Sequence, residues 1–497
     1  MTCRIEMMVL AAFAAVTAAY TVRAADYSFS KDGGNLASAA DWGMESIPDP
    51  TNRIAFTTGG TMTVTALDDI NFSGAYMQKA NQTITLDMRD SVTGGNPRKI
   101  NFTGGISFGD GKYQTLNIKG GDWTLGGAIN MFTGNYNNEK TYETVNITDG
   151  AVVRTSGLRG SYSRTSHCTF HIAGEGTVVT SGYLQVPFID GHYDRAEILD
   201  GAQVIITNAS NGGINLANRD SCNCGIVVSG AGSRLAKIAG GTTYIVNKAT
   251  NNYFYVENGA EVNLSAGLVY FAYADDVTGK NAASNILRAA GAGARIKYAA
   301  IYFGKGGAAD ANTANEIQAF DGGSITGQIA YVYGHDNGHV VSNATIVYTG
   351  NGIVCNSSCT NCYLRLQGDS PRFMINSGAS GNWDLRNSFK LIYDLPPDGY
   401  AEGFVPVYLT RWGTTDTTTE FIINGIDAVK RRMAQRRMSS MLFKLFRPAG
   451  GIGGSGFTAE MCERWNSRLP EGAELKWENG FVTLTVKITV GTCVMFH

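Results

Sequence analysis

The chain has 497 residues, of which 62 are Gly and only 10 are Pro, and 16% are charged. That balance excludes a disordered Pro- and Gly-rich linker protein. A net charge of −2 and a pI near 6.3 supply no overall field that would draw nucleic acid, so no nucleic-acid partner is expected.

Abundant Gly serves tight turns that need positive φ, and scarce Pro suits extended sheets, whose ladders Pro cannot join. The composition therefore points to many short strands joined by many turns. At the N-terminus, one Arg precedes an apolar run from Met7 to Val22, and Val22-Arg23-Ala24 forms a cleavage triplet. Residues 1–24 read as a secretory signal peptide, and the expected location is outside the cell or on its surface. No later stretch is long and apolar enough to be read as a membrane-spanning helix. Cys3 leaves with the signal, which leaves Cys168, Cys222, Cys224, Cys355, Cys359, Cys362, Cys462 and Cys493. An even number in an exported chain permits disulfides, but the number is too small for a disulfide scaffold of this length.

A repeat follows. Segments such as TVNITDGAVV (144–153), AEILDGAQVII (196–206) and FYVENGAEVNL (254–264) each place a Gly turn between two β-prone runs. Gly121, Gly150, Gly176, Gly201, Gly232, Gly259, Gly293 and Gly322 mark the turn, at intervals of 25 to 34 residues. The third residue after the glycine is apolar in every unit but the first: Val153, Val179, Val204, Leu235, Val262, Ile296 and Ile325. Alternation of apolar and polar residues buries one side of each strand. One unit cannot build a core alone, so the units must stack. Variable stretches recur once per unit, which suits loops leaving one corner of a coil. The expected fold is all-β, a right-handed parallel β-helix, rather than a propeller, whose blades are longer, or a string of sandwiches.

The segment SAADWGMESIPDPTNRIAF (38–56) opens the repeats, and ENGAEVNLSAG and LDGAQVIITNASNGG lie within them. Over roughly 38–385 these segments resemble the passenger domains of bacterial autotransporters, secreted β-helices of the pectin-lyase-like fold. The resemblance implies a surface or secreted protein of structural or adhesive role. Its partners would be extracellular polysaccharide or ligands on host or cell surfaces. The family's C-terminal membrane barrel is not matched. The repeat fades after Phe373, so residues 25–386 are assigned to the β-helix and 387–497 to a C-terminal cap of mixed strand and helix. Within it, Asn479-Gly480 between alternating runs is a hairpin signal.

Several stretches carry chemical suggestion. CNSSCTNC (355–362) has the C-x₃-C-x₂-C spacing of the cluster loop in radical S-adenosylmethionine enzymes, but it sits in a late repeat of an exported all-β chain. A zinc site needs a fourth ligand. Cys222 and Cys224 lie about five rungs earlier, roughly 24 Å at the strand spacing. The three cysteines are read as free thiols or as a local disulfide such as Cys355–Cys362. Asp275-Asp276, Gly334-His335 with His339, and Arg295-Ile296-Lys297 echo the polygalacturonase motifs, but in the wrong order and incomplete. No catalytic residue, metal ligand or cofactor is assigned. A polysaccharide lyase or glycoside hydrolase working in a groove is the alternative. Finally, VKRRMAQRRMSSMLFKLFRP (429–448) places Ala434, Met438, Met441 and Leu445 at helical spacing. It reads as one helix stopped by Pro448. The helix packs on the end of the solenoid or lies peripherally on an outer-membrane surface.

Overall fold

A computed structural model describes residues 26–488, apart from 90–91, 94–95, 110–111, 132–141, 162–166, 188–190, 210–211, 219, 275–281, 307–311, 376–382, 410–412, 416–417 and 449–458. Residues 1–24, which read as a signal peptide, Asp275-Asp276 and Cys493 lie outside the described residues.

The chain winds into a parallel β-solenoid of about 12 turns with three faces. The first face is a ladder of 15 strands, from Gly34–Asn35 to Glu420–Asn424, each paired in parallel with its equivalent one turn away. The second and third faces form one continuous sheet, because the strands Glu261–Tyr273 and Arg295–Phe303 run unbroken around the corner between them.

Alternation explains the strands. In Thr115–Lys119, Leu116 and Ile118 point inward and are fully buried, while Asn117 points outward. Asn117 stacks between its neighbours, accepting from Asn146 Nδ2 at 2.7 Å and donating to Thr85 Oγ1 at 2.9 Å. On the second face, Val153, Val179, Val204, Leu235, Val262, Ile296 and Ile325 share one inward column in unbroken register. Burial of each such side chain stabilises by about 1.5–3 kcal/mol. The first unit's irregularity is a one-residue shortening: Trp123, not Thr124, pairs with Val153 and fills the column.

The eight marker glycines all sit at the corner between the first and second faces, with φ from +74° to +88°. From Gly150 to Gly322 two turn designs alternate there. Asp149-Gly150, Asp200-Gly201, Asn258-Gly259 and Asp321-Gly322 put both residues at positive φ. Between them, Gly174-Glu175-Gly176, Gly230-Ala231-Gly232 and Gly291-Ala292-Gly293 are one residue longer, with both glycines at positive φ. In two of the longer turns a hydroxyl stitches the stack. Thr177 Oγ1 donates to Ala173 O and accepts from Gly150 N in the turn before, and Ser233 Oγ does the same with Ser229 O and Gly201 N.

The solenoid runs past residue 387. Lys390–Asp394 and Glu420–Asn424 continue the first face, while Val407–Leu409 and Gly413–Thr415 continue the second and third. Both ends of the core are closed by tryptophan. Trp42, in a 3₁₀ turn (Ala39–Trp42), packs edge-on against Phe29 at 4.7 Å and donates Nε1 to Leu36 O. Trp465 stacks on Phe421 at 4.4 Å and donates Nε1 to Thr419 O.

The single helix expected over 429–448 is not formed. Helix α1 spans Ile426–Gln435 and buries Ile426, Val429 and Met433, leaving Ala434 exposed. Arg437 turns the chain at φ +55°, and Ser440–Pro448 is a strand. Met441, Phe443 and Leu445 satisfy period two, Met441 and Leu445 fit a helical stripe as well, and the open edge of the second face decides between them. The strand's end pairs in parallel with Val407–Leu409, and its body pairs antiparallel with Phe481–Lys487. Pro448 thus ends a strand. Helix α2 (Ala459–Asn466) carries Trp465. The Asn479-Gly480 hairpin forms as expected, with φ +50° and +76° and Glu478 opposite Phe481.

Candidate functional site

The corner between the third and first faces holds a continuous line of buried polar residues. Each rung places one residue there, immediately before its first-face strand, with the side chain turned inward. Asn252, Asn285, Asn315 and Asn337 form a ladder, all buried. The backbone N–H of Asn252 donates to Asn285 Oδ1 at 2.9 Å, that of Asn285 to Asn315 Oδ1 at 3.1 Å, and that of Asn315 to Asn337 Oδ1 at 2.9 Å. Each Nδ2 then donates to a backbone carbonyl of an earlier rung or the same corner, as Asn285 does to Ala249 O at 3.0 Å. Earlier rungs use Gln82 and Gln114, whose amides also donate to carbonyls of the preceding turn.

Cysteines occupy the same position. Cys168, Cys224 and Cys362 are buried, with Sγ facing Met131 O, Gly191 O and Gly334 O at 3.8, 3.4 and 3.4 Å. Cys362 is therefore a rung residue. Cys359 is buried within hydrogen-bonding reach of both Cys355 and Cys362, and all three are free thiols. Hydrogen bonding to Cys355 and burial push the Cys359 thiol far above its usual range. Cys222 and Cys224 stand five rungs away. Among the described residues, no three of His, Cys, Asp and Glu are grouped to hold a metal ion.

Two carboxyls break the amide pattern. Asp194 is fully buried, and its Oδ1 accepts from Cys168 N at 2.8 Å while Oδ2 faces Ser161 Oγ. Burial raises it to about 7. Glu143 is raised to about 8 by burial, then by the charge of Asp194, and its Oε1 has no partner among the described residues. On the surface of this corner, Cys222 Sγ lies 3.1 Å from His192 Nδ1.

The other candidate residues are dispersed. His339 points into the core, with Nε2 2.9 Å from Tyr348 Oη, and burial lowers it to about 3. His335 lies in the corner ladder between Thr313 and Thr360. Ile296 belongs to the second-face core, and Arg295 and Lys297 are exposed on that face. They do not converge with the histidines.

What does form a continuous feature is the outward side of the third face. Arg159, Gln185, Asn215, Tyr244, Tyr270, Tyr302 and Tyr331 succeed one another in strict register. The four tyrosines are half-buried, with ring centroids 5.5, 5.1 and 4.9 Å apart and planes within 20° of parallel. Lys305 Nζ sits 4.3 Å from the Tyr302 ring centre and 5.4 Å from that of Tyr270. Gln185 Oε1 and Asn215 Oδ1 are buried and have no hydrogen-bond partner among the described residues. Arg159 lies over the Tyr183 ring at 4.7 Å. Stacked rings expose their edges and phenol groups, so the column presents a row of donors and acceptors at the strand spacing of about 4.8 Å. The sequence shows Tyr244, Tyr270, Tyr302 and Tyr331, but their common register is hidden by unit lengths that vary with the corner loops.

Comparison of the chain with protein-family models, with curated proteins and with solved structures gives no match.

Proposed function

We propose that this chain is an exported surface solenoid that holds an extended, hydroxyl-rich polymer, such as a polysaccharide, along its third face. The observation that carries the reading is the in-register column from Gln185 through Tyr331. Phenol and amide groups both donate and accept, as a polyol partner requires. Their repeat at one strand spacing suits a polymer that advances by a similar step. Many weak contacts then sum along the axis. The rigid stack loses little side-chain entropy on binding, which favours affinity.

The test is co-sedimentation of the mature chain with insoluble polysaccharides, comparing the parent with a Tyr270→Ala/Tyr302→Ala variant. Binding of the parent is expected, with a loss of about tenfold or more in the variant, equivalent to about 1.4 kcal/mol. Equal binding by both, with matching melting curves, removes the column from the reading. Cell fractionation with N-terminal sequencing tests export, with Ala25 the expected first residue.

A further inference from the structure

Near the C-terminal end of the second face, Met374, Tyr408 and Arg447 occupy successive outward positions in register. Arg372 lies two residues before Met374 and is exposed. Together with Phe404 and Val405 of the adjoining loop, these residues line an open cavity of about 210 Å³. The two guanidinium groups are held by rings: Arg372 lies 5.2 Å from the Phe404 centroid, and Arg447 lies 5.2 Å from that of Tyr408 and 5.6 Å from that of Phe481.

Neither arginine pairs with a carboxylate among the described residues. Others in the neighbouring rungs do. Arg365 meets Asp394, Arg386 meets Asp384, and Arg468 meets Glu420. The adjoining stretches 376–382 and 449–458 contain no acidic residue that could serve. A guanidinium stacked on a ring keeps its edge N–H groups free, and those are the groups that grip a planar oxyanion in two-point fashion. The floor beneath is apolar, formed by Met374 and the Tyr408 ring.

We infer that this cavity is a binding site for an organic carboxylate with a ring or other apolar body, taken between Arg372 and Arg447. It lies on a different face from the tyrosine column and does not depend on the polymer reading. The oxyanion is held by the two forks, and the body rests on Met374, Tyr408 and Phe404.

Calorimetric titration of the mature chain with benzoate, benzamide and inorganic sulfate tests this. Benzoate is expected to bind about tenfold or more tightly than benzamide, which has the ring without the charge, and more tightly than sulfate. R372Q and R447Q are each expected to weaken benzoate by about fivefold or more. Because the forks are the gripping groups, R447K, which keeps the charge but not the fork, should also weaken it. Thermal melts identify any variant that fails to fold, and R447K then stands in for R447Q. Equal binding of benzoate and benzamide, absence of benzoate binding, or folded variants that bind as the parent does would each overturn the site. Sulfate binding more tightly than benzoate would overturn the requirement for an apolar body.

Discussion

At the scale of single residues, the inner corner ladder imposes one demand: a compact side chain that donates to a carbonyl of the turn before. Amides meet it, as Asn285 and Gln114 show. A thiol meets it weakly, and an ionised carboxyl cannot. Glu143 is therefore the ladder's weakest rung. Its folded pKa is raised to about 8, well above the unfolded value of about 4.3. The folded state thus holds the proton more tightly, and stability falls as pH rises between those values. Glu143→Gln is expected to match the parent near pH 4 and to exceed it by about 1–3 kcal/mol at pH 8 and above, read from denaturant titrations at several pH values. Burial also orders the thiols. Cys222 is the partly exposed one among the described cysteines, beside His192. Alkylation of the native protein followed by peptide mapping should label Cys222 ahead of Cys168, Cys224, Cys355, Cys359, Cys362 and Cys462, which react on unfolding.

Among the elements, the turns were the most legible in the sequence. Gly150, Gly201 and Gly259 mark a corner where the backbone must turn left-handed, and the apolar residue three positions later names the inward column. Gly232 illustrates the constraint: its φ is +82°, and an added Cβ would lie 3.4 Å from Gly201 Cα in the rung below. Gly232→Ala is expected to cost about 1–2 kcal/mol in a denaturant titration, chiefly through the left-handed backbone. The segment 429–448 was misleading because Met441 and Leu445 fit both periods locally. Only the unpaired second-face edge, a tertiary feature, selects the strand. The corner ladder was written in the sequence as Asn252, Asn285, Asn315 and Asn337, each directly before a β-prone run. It was obscured because Cys, Asp and Glu occupy the same place in other rungs. CNSSCTNC looked like a ligand motif for that reason: Cys362 is a ladder residue, and Cys355 belongs to the inward side of a third-face strand.

Over the whole molecule, three ladders share one core, and the two ends differ in how they are covered. Trp42 closes the first turns from a short 3₁₀ segment, whereas the last turns are closed by helix α2 and by strands that reverse direction. Reversal ends the parallel ladder of the second face, whose outer edge pairs antiparallel and not with a further rung. The binding surfaces proposed above follow the same geometry. A column of equivalent outward positions exists only because the register is unbroken over the middle turns. Its chemistry therefore depended on aligning units of unequal length, which the sequence alone does not do.

The alternation of two turn designs at the glycine corner has a consequence for how such a molecule can lengthen or shorten. Thr177 and Ser233 in the longer turns satisfy Gly150 and Gly201 in the shorter ones. In these turns the hydrogen-bonded unit is then a pair of rungs, one of each kind. Excising the rung of Thr177 or of Ser233 would leave the amide of Gly150 or Gly201 without its hydroxyl. A change in one rung of such a pair is thereby felt in its neighbour's turn as well as in its own.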